Sequence, residues 1–475
     1  MLHHLRFPPA RFAPKDSFMQ QILTPGGHAK AIAILGLPLI GGHLAQMAIG
    51  VTDTVMLGWY GVEALAAVTL ASTYFFVLFI FGSGFAWAVM PMVARYHAEA
   101  DETSIRRATR MGLWLSLGFG LCALPLMIFS APILRLMGQE EVVVTLAAGY
   151  LAVAGWGILP ALFVMVLKSY LAALERTQVV LWITVLAAVV NALVNYALIF
   201  GNWGAPELGL VGAAIASLAT QIVSLVGVVI YVRIALPQHD MFRRLWAADR
   251  DMLGQVFRLG WPISITSLSE VGLFAASAVM MGWLGTVPLA AHGIAVQLAA
   301  LTFMVHLGLG NAGTVRAGNA FGRKDPGHLA RGAWVVTALS LGFSLVTVGF
   351  FFLFPGFFIG IYILEDDPAR LQILQIGVGL LFMAGLFQLV DGMQAIALGV
   401  LRGLQDTRMP MIYAAVSYWL VGVPASYLLG FTFGLEGIGV WAGLALGLGV
   451  AAILLNWRFW RTVLPRVRLG QPPAP

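Results

Sequence analysis

The sequence predicts an all-α polytopic membrane protein whose twelve transmembrane helices form two parallel six-helix repeats. Three observations predict this fold class: the apolar composition, the number of long charge-free segments, and an internal repeat at a constant offset. Of the 475 residues, 60% are hydrophobic and only 10% are charged, whereas about 25% of the residues in soluble domains are charged. The composition therefore favours a chain embedded largely in lipid.

The first 30 residues are predicted to form a basic tail. They contain Arg6, Arg11, Lys15 and Lys30. They lack the apolar stretch of about 7–15 residues that a cleaved signal peptide would require. We therefore expect residues 1–30 to remain in the chain as a tail on the cytoplasmic side.

Twelve apolar segments follow this tail, and a membrane-crossing helix needs about 20 mainly apolar residues. One charge-free stretch, 271–315, contains parts of two helices because glycine and proline at 285–288 interrupt it. Residues 371–401 form another helix, in which Asp391 is the only charged residue. The remaining charge-free segments are each long enough for one helix: 31–52, 64–94, 111–134, 142–167, 177–206, 208–232, 332–364, 409–435 and 437–457.

Basic residues predict the orientation of these helices, because cytoplasmic loops carry an excess of Lys and Arg. With both termini in the cytoplasm, all but Arg135 and Arg370 of the 27 Lys and Arg lie in cytoplasmic segments or at cytoplasmic helix ends. We expect a multi-pass membrane protein with both termini in the cytoplasm. Contact with lipid head groups then explains the net charge of +6, so no nucleic-acid partner is expected.

The second half of the chain repeats the first at an offset of 224 residues. The sequence at 35–38 recurs at 259–262, and the sequence at 55–61 recurs at 279–285. Because each unit has an even number of helices, the repeats are parallel, and we expect a central site between them. The predicted divisions are a tail (1–30), an N-terminal lobe (31–234), a cytoplasmic linker (235–258), a C-terminal lobe (259–457) and a cytoplasmic tail (458–475).

Three carboxylates lie inside the predicted helices: Asp53, Glu270 and Asp391. No Lys or Arg is expected at comparable depth to pair with them. A charged side chain at the centre of a membrane helix costs roughly 2.5–3.5 kcal/mol on insertion scales, so such residues usually face a cavity and bind a positive group. The pattern indicates cation-coupled transport.

The repeat places these acids at different levels of the two lobes. Gln46 aligns with Glu270, and Asp53 aligns with Ser277. Positions 46 and 53 lie two turns apart on one helix face, about 10 Å along the axis. The acid of the first lobe therefore lies at the outer level, and that of the second lobe lies near mid-helix. We expect Gln46 and Asp53 to belong to one site, with a task different from that of Glu270.

Glu270 and Asp391 suit a shared ion site if helices 7 and 10 pack together. Carboxylate and neutral oxygens bind a hard cation such as Na⁺, and two neighbouring buried acids can also hold a proton. The residues leave both ions open, as well as a purely structural role for neutral carboxyls. In the first lobe, Asn191 and Asn195 are spaced by four residues on helix 5. They either bridge helices or hydrogen-bond Asp53 and line a cavity with it.

Signatures of catalysis and nucleotide binding are missing from the sequence. It contains no His-Glu-x-x-His or Gly-x-Ser-x-Gly motif. No lysine follows a glycine, as a phosphate-binding loop requires. We therefore expect neither an enzyme nor a direct user of ATP, and no cofactor besides a coupling ion. The single cysteine, Cys122, excludes an internal disulfide.

Four short segments spread over both repeats match a known pattern. They are Asp53-Thr54-Val55-Met56-Leu57-Gly58, Glu270-Val271-Gly272-Leu273-Phe274, Ala290-Ala291-His292, and Asp391 followed by Leu401-Arg402-Gly403. In combination these segments resemble the multidrug and toxic compound extrusion (MATE) family, and within it the NorM-like branch.

This resemblance implies a V-shaped pair of lobes that export amphipathic organic cations in exchange for Na⁺ or H⁺ by a rocking motion. It implies a cation site at Glu270 and Asp391 in the C-terminal lobe. It implies that Asp53 handles substrate or protons in the N-terminal lobe. Asp366 and Asp367, near the outer end of helix 10, resemble an acidic pair of some relatives. A monomer in the lipid bilayer is expected, and the resemblance implies the bacterial cytoplasmic (inner) membrane.

Two other functions remain open. A lipid-linked oligosaccharide flippase shares this broad fold, but it would need arginines in its cavity to hold pyrophosphate. Here every Arg is expected at a membrane edge, and the charges expected in the membrane are acidic. A non-transporting membrane receptor is the other alternative, and ion binding that depends on Glu270 would separate it from a transporter.

Overall fold

The computed structural model describes residues 24–365 and 368–471. Within these residues twelve helices are long and apolar enough to cross a membrane, which confirms the predicted number. Two short helices, Ala131–Leu136 and Pro355–Gly360, precede the fourth and the tenth of them. In chain order the twelve are α1 (Pro25–Tyr60), α2 (Val62–Ala98), α3 (Glu102–Ile128), α4 (Glu141–Ala173), α5 (Thr177–Phe200), α6 (Gly209–Ala235), α7 (Arg250–Leu284), α8 (Thr286–Gly322), α9 (Pro326–Leu353), α10 (Arg370–Gly403), α11 (Arg408–Thr432) and α12 (Glu436–Arg468).

The first helix begins earlier than hydropathy predicts. The Thr24 hydroxyl accepts a hydrogen bond of 3.2 Å from the Gly27 amide, and a proline occupies the first helical turn. Both features favour a helix start, so 25–30 is helical rather than part of the predicted tail. Residues 1–23 of that tail and the predicted acidic pair, Asp366 and Asp367, lie outside the described residues.

The linker and the C-terminal tail are both shorter than predicted. α7 begins at Arg250, where Asp249 caps it by accepting a hydrogen bond from a backbone amide, so the predicted linker 235–258 ends at 249. α12 continues to Arg468, so most of the predicted tail from 458 is helical. Hydropathy misses these ends because capping and the burial of single charged residues determine where a helix stops.

The two lobes carry the same irregular turns at matching positions. Ala100 and Lys324, which follow α2 and α8, have φ angles of 57° and 54°. Glu175 and Gln405, which follow α4 and α10 and are 230 rather than 224 residues apart, have φ angles of 60° and 62°. Positive φ is uncommon for residues other than glycine. Its recurrence at matching positions shows that the two lobes are built on the same six-helix plan.

The lobes contact each other through α1 and α2 on one side and α7 and α8 on the other. Gly84 allows α2 to approach α7, since a Cβ there would lie 2.1 Å from the Ser264 hydroxyl oxygen. That hydroxyl donates a hydrogen bond of 2.5 Å to the carbonyl oxygen of Phe81, and Phe85 stacks on Phe257. Small residues of this kind let membrane helices pack closely.

These contacts lie in the half of the molecule that includes the end where α1 begins and α6 finishes. At the same end the Asn319 side chain donates a 3.1 Å hydrogen bond to the Glu175 carboxylate across the lobes. Arg316 of α8 donates one of 3.2 Å to the His28 ring of α1. The lobes are therefore joined at the end that carries the linker.

Candidate functional site

Asp53 lies where α1 meets α5, and two amides hold it. Its Oδ1 accepts hydrogen bonds from the side-chain amides of Asn191 (3.0 Å) and Asn195 (2.5 Å). Both asparagines are fully buried, and their spacing of four residues places them on one face of α5. The structure therefore contains the hydrogen bonds that one of the two sequence interpretations predicts. Two donors on one oxygen favour the ionised form of the carboxylate.

Two further residues, which sequence analysis missed, complete the surroundings of Asp53. The Ser217 hydroxyl of α6 donates to Asp53 Oδ2 at 3.4 Å, and the Tyr150 hydroxyl of α4 lies 3.2 Å from that of Ser217. Both come from segments without charge or motif, so no signal in the sequence marks them. Only the packing of α4 and α6 around α1 brings them together.

Asp53 opens onto a cavity of about 510 Å³, a volume typical of sites for drug-sized ligands. Gln46 also lines this cavity. Most of the wall belongs to the first lobe, and α8 of the second lobe contributes Met304, Leu307 and Asn311. The site expected between the lobes is therefore displaced into the N-terminal lobe.

One basic residue in the cavity wall contradicts the sequence analysis. Lys168 lines the cavity, and its Nζ donates a hydrogen bond of 2.8 Å to Thr184 Oγ1. The charge-free segment stops at 167, which predicts a lysine at a cytoplasmic helix end. In the structure α4 continues to Ala173. Lys168 is therefore inside the helix, and its side chain reaches the cavity rather than the lipid head groups.

The second acidic site lies in the C-terminal lobe, apart from the lining of the cavity. Asp391 is only 3% exposed, and its Oδ1 has no hydrogen-bond partner among the described residues. On the same helix, Oε1 of Gln394 is also buried without a partner among the described residues, while its amide nitrogen donates a 2.6 Å hydrogen bond to the Tyr418 hydroxyl. Unpaired buried acceptors are costly, so this group fits a positively charged ligand.

The structure brings the two predicted acids of this lobe into one region. Glu270 of α7 and Asp391 of α10 interact electrostatically, and Tyr418 of α11 interacts with both. The two helices also meet through an edge-to-face contact between Phe274 and Phe387, whose ring centroids are 5.8 Å apart. A ligand bound by one of these carboxylates therefore changes the electrostatic energy of the other.

Arg402 also differs from its predicted position. It interacts electrostatically with Glu270, and its guanidinium lies 5.7 Å from the centre of the Trp87 ring in the other lobe. The expectation that every Arg lies at a membrane edge, away from the acids, is wrong for this residue. Helical side chains point back toward the N-terminus of their helix. A long side chain in the last turn of α10 can therefore extend toward the middle of the lobe.

The residues of this second site fit a singly charged ion. In the part of the chain that the structure describes, no group of three or more His, Cys, Asp or Glu side chains could hold a metal ion. Glu270 and Asp391, with the Gln394 amide and the Tyr418 hydroxyl nearby, instead provide oxygen donors of the kind that hard cations prefer.

The position that corresponds to Asp53 in the second lobe is neutral. The Ser277 hydroxyl lies 3.5 Å from Nε2 of His292, and Trp441 donates a 3.1 Å hydrogen bond to Nδ1 of the same ring. Because an indole N–H can only donate, Nδ1 is an acceptor and the imidazole is neutral. The two lobes therefore share the same helix arrangement but carry their acids at different positions.

Twelve helices in two repeated lobes, with an internal cavity and buried acids, define a multi-pass membrane protein with the architecture of secondary transporters. The sequence model of the MatE family matches residues 38–197 and 262–428, which covers most of both lobes. The chain belongs to the MatE family.

Curated relatives resemble the chain over nearly its whole length. The probable multidrug resistance protein NorM of Rhizobium meliloti is 46% identical, covering 94% of this chain and 96% of that protein. The protein of the same name in Agrobacterium fabrum is 44% identical, covering 91% and 93%. Among solved structures, one described as the outward-facing conformation of a multidrug resistance MATE family transporter of the MOP superfamily has a TM-score of 0.84 at 22% identity, covering 93% and 97%. At this identity the solved structure shows the shared fold.

Proposed function

We propose that this protein is a secondary active multidrug efflux antiporter, which exports organic cations in exchange for Na⁺ or H⁺ by alternating access of its two lobes. The observation that carries the proposal is the separation of the acids. Asp53 opens onto the cavity, whereas Glu270 and Asp391 are not among the residues of its wall. This separation provides one acid for a cationic substrate and a different pair of acids for the coupling ion, as an antiporter with two separate sites requires. The names of the NorM relatives support the same function.

The cavity wall suits amphipathic cations of varied shape. Asp53 supplies a negative charge, and the aromatic rings of Phe75, Phe76, Phe79 and Trp87 lie in the same wall. Aromatic faces attract cations and cover apolar surface at the same time. Few directional polar contacts are required, so substrates can differ in shape if they carry a positive charge and an apolar body.

The pair Glu270 and Asp391 is the proposed coupling site. Two ionised carboxylates that interact repel each other, and a bound Na⁺ or H⁺ removes that repulsion. α7 carries Glu270 and also packs on α2 across the lobe interface. A shift of α7 on ion binding would therefore change the contact between the lobes. Each charge that crosses the membrane contributes about 2.3 kcal/mol per 100 mV.

The proposed location is the bacterial inner membrane, where a monomer spans the bilayer with both termini in the cytoplasm. The distribution of basic residues supports this orientation. In that orientation the lobes are joined at the cytoplasmic end, so the cavity faces the outside. This is the state in which substrate would leave and the coupling ion would enter.

Transport by proteoliposomes tests the proposal and identifies the ion. We expect the purified protein to move ethidium under an imposed Na⁺ gradient or an imposed pH gradient. We expect Glu270→Gln and Asp391→Asn to abolish ion-dependent transport, because each removes one charge of the coupling site. Glu140→Gln is the matched control, since this exposed acid makes no capping hydrogen bond at the start of α4. Normal ion-driven export by both buried-acid variants would refute the assignment.

The alternatives fit the structure less well. Among the described residues that line the cavity there is no arginine, so a pyrophosphate of a lipid-linked oligosaccharide would lack the guanidinium groups that bind it best. A receptor would bind ligand without ion-driven movement. Accumulation of ethidium against its gradient would therefore exclude both a receptor and an enzyme.

A further inference from the structure

The cavity wall carries two opposite charges on different helices. Among the described residues that line it, Asp53 of α1 is the one carboxylate and Lys168 of α4 is the one Lys or Arg. The function proposed above uses only the carboxylate. A lysine in this wall would repel the cations that the cavity is proposed to carry, so its presence calls for another role.

Lys168 has no counter-charge within the part of the chain that is described. Its Nζ donates to Thr184 Oγ1, and that hydroxyl in turn donates a 2.7 Å hydrogen bond to the carbonyl oxygen of Val180. No described carboxylate lies within ion-pair distance of it. An ammonium group has three donors, so hydrogen-bonding capacity remains toward the cavity. An unpaired charge is costly at membrane depth, and an anionic group of a ligand would reduce that cost.

Helix α5 carries hydrogen-bond partners of both Lys168 and Asp53, so the spacing of these partners sets the distance between the two charges. Thr184 binds Lys168, whereas Asn191 and Asn195 bind Asp53. Asn191 and Asn195 follow Thr184 by seven and eleven residues, which are close to two and three whole turns, so all three lie on one face of α5. At a rise of 1.5 Å per residue, Asn191 lies about 10 Å and Asn195 about 16 Å from Thr184 along the helix axis. The two charges are therefore too far apart to pair with each other.

We propose that Lys168 is the anion-recognising end of a two-ended binding site whose other end is Asp53. The site then favours zwitterions in which an ammonium group and a carboxylate are separated by about 10 Å or more. Such a ligand satisfies both charges, whereas a simple cation leaves the lysine unpaired. This inference rests on the proposed function, because it assigns a substrate class to the same cavity.

Two ligands that differ in one group test this inference. Norfloxacin carries a piperazine ammonium and a free carboxylate at opposite ends of its ring system, and its ethyl ester keeps only the ammonium. Ethidium serves as a cation without any acid. Dissociation constants of all three are measured by fluorescence with the purified full-length protein, with Lys168→Met and with Lys168→Arg. Met165→Leu is the control, since Met165 is an uncharged residue of the same cavity wall on α4.

We expect Lys168→Met to weaken norfloxacin binding about tenfold, the size of an interaction between partly solvated charges. Binding of the ester and of ethidium should stay the same or tighten. Lys168→Arg should retain the preference for norfloxacin over its ester. Met165→Leu should leave the ratio of the dissociation constants of these two ligands unchanged. Unaltered binding of the ester also shows that the Lys168→Met protein is folded.

Equal losses for all three ligands, or no loss for norfloxacin, would overturn the role of Lys168. The protein could transport ethidium while the ratio of the dissociation constants of norfloxacin and its ester is the same in wild type and Lys168→Met. In that case only this inference fails. If the wild type binds none of the three ligands, this inference and the proposed function fail together.

Discussion

Neutral donors stabilise the charge of Asp53 without cancelling it. The amides of Asn191 and Asn195 point their N–H groups at one carboxylate oxygen, and the Ser217 hydroxyl approaches the other. A lysine or arginine in their place would neutralise the site, and no net negative charge would remain to attract a cationic ligand. Amides stabilise the ionised form by hydrogen bonding and, because they carry no charge, they do not cancel its negative charge.

Asn195→Leu tests this arrangement. The change keeps the side-chain volume nearly constant but removes a hydrogen bond to a charged group, which is worth about 1.5–3 kcal/mol. We expect ethidium binding to the purified protein to weaken about 10-fold to 100-fold, because the carboxylate is less readily ionised. Asn456→Leu is the control, since that amide donates to the Ala452 carbonyl oxygen on α12. Equal losses in both variants would contradict the role of the amide.

At the scale of the helices, a buried ion pair ties the turn between α10 and α11 to α12. Arg458 donates hydrogen bonds of 2.6 Å and 3.0 Å to the two carboxylate oxygens of Asp406. Their side chains are only 6% and 1% exposed. Burial raises the pKa of Asp406, although the Arg458 guanidinium acts in the opposite direction. The pair is therefore more costly to break than it is favourable to form.

A pair of variants makes this distinction measurable. Asp406→Leu should lower the free energy of unfolding by about 3–5 kcal/mol, because it removes the carboxylate that pairs with the buried arginine charge. The double variant Asp406→Leu/Arg458→Met should recover most of that loss, since it buries no charge. Thermal unfolding in detergent measures both effects. A double variant that is as unstable as the single one would show that the pair itself contributes the stability.

At the scale of the whole molecule, the lobes contact each other through α1 and α2 on one side and α7 and α8 on the other, and the proposed rocking motion would have to open this contact. The close approach of α2 and α7 depends on Gly84, where a Cβ would lie 2.1 Å from the Ser264 oxygen and 2.7 Å from the Gly260 carbonyl oxygen. Backbone atoms cannot move aside as a flexible side chain can. A methyl group at this position must therefore separate the two helices.

Gly84→Ala should shift the protein away from the state in which the lobes are joined at the linker end. If the lobes rock as rigid bodies, separation at that end brings the opposite ends of α2 and α8 closer together. Gly118→Ala is the control, because a Cβ at Gly118 meets no atom within 4 Å.

Distances between spin labels report this shift. Cysteines at the exposed positions Glu63 and Thr286, in a Cys122→Ala background, place one label on each lobe at the end opposite the linker. We expect the Gly84→Ala protein to populate shorter distances than wild type and the Gly118→Ala protein. Identical distance distributions in all three proteins would exclude a gating role for this contact.

The sequence alone predicts the helices and their repetition, because both depend on local properties. Twelve apolar segments and a constant offset need no knowledge of packing. The same patterns place Asp53 and Asn195 inside helices. They misplace Lys168 and Arg402, because a charged residue at the edge of an apolar segment gives no sign of where its long side chain extends.

The sequence by itself determined that this protein is a membrane protein of two repeated lobes with three acids in its helices. Only the tertiary structure decided which residues face one another. It joined Asp53 to Ser217 as well as to the asparagines, placed Lys168 in the same cavity, and kept Asp391 outside it. The physical reason is that hydropathy and periodicity act along one helix. A binding site is assembled from side chains of several helices, whose packing no single segment encodes.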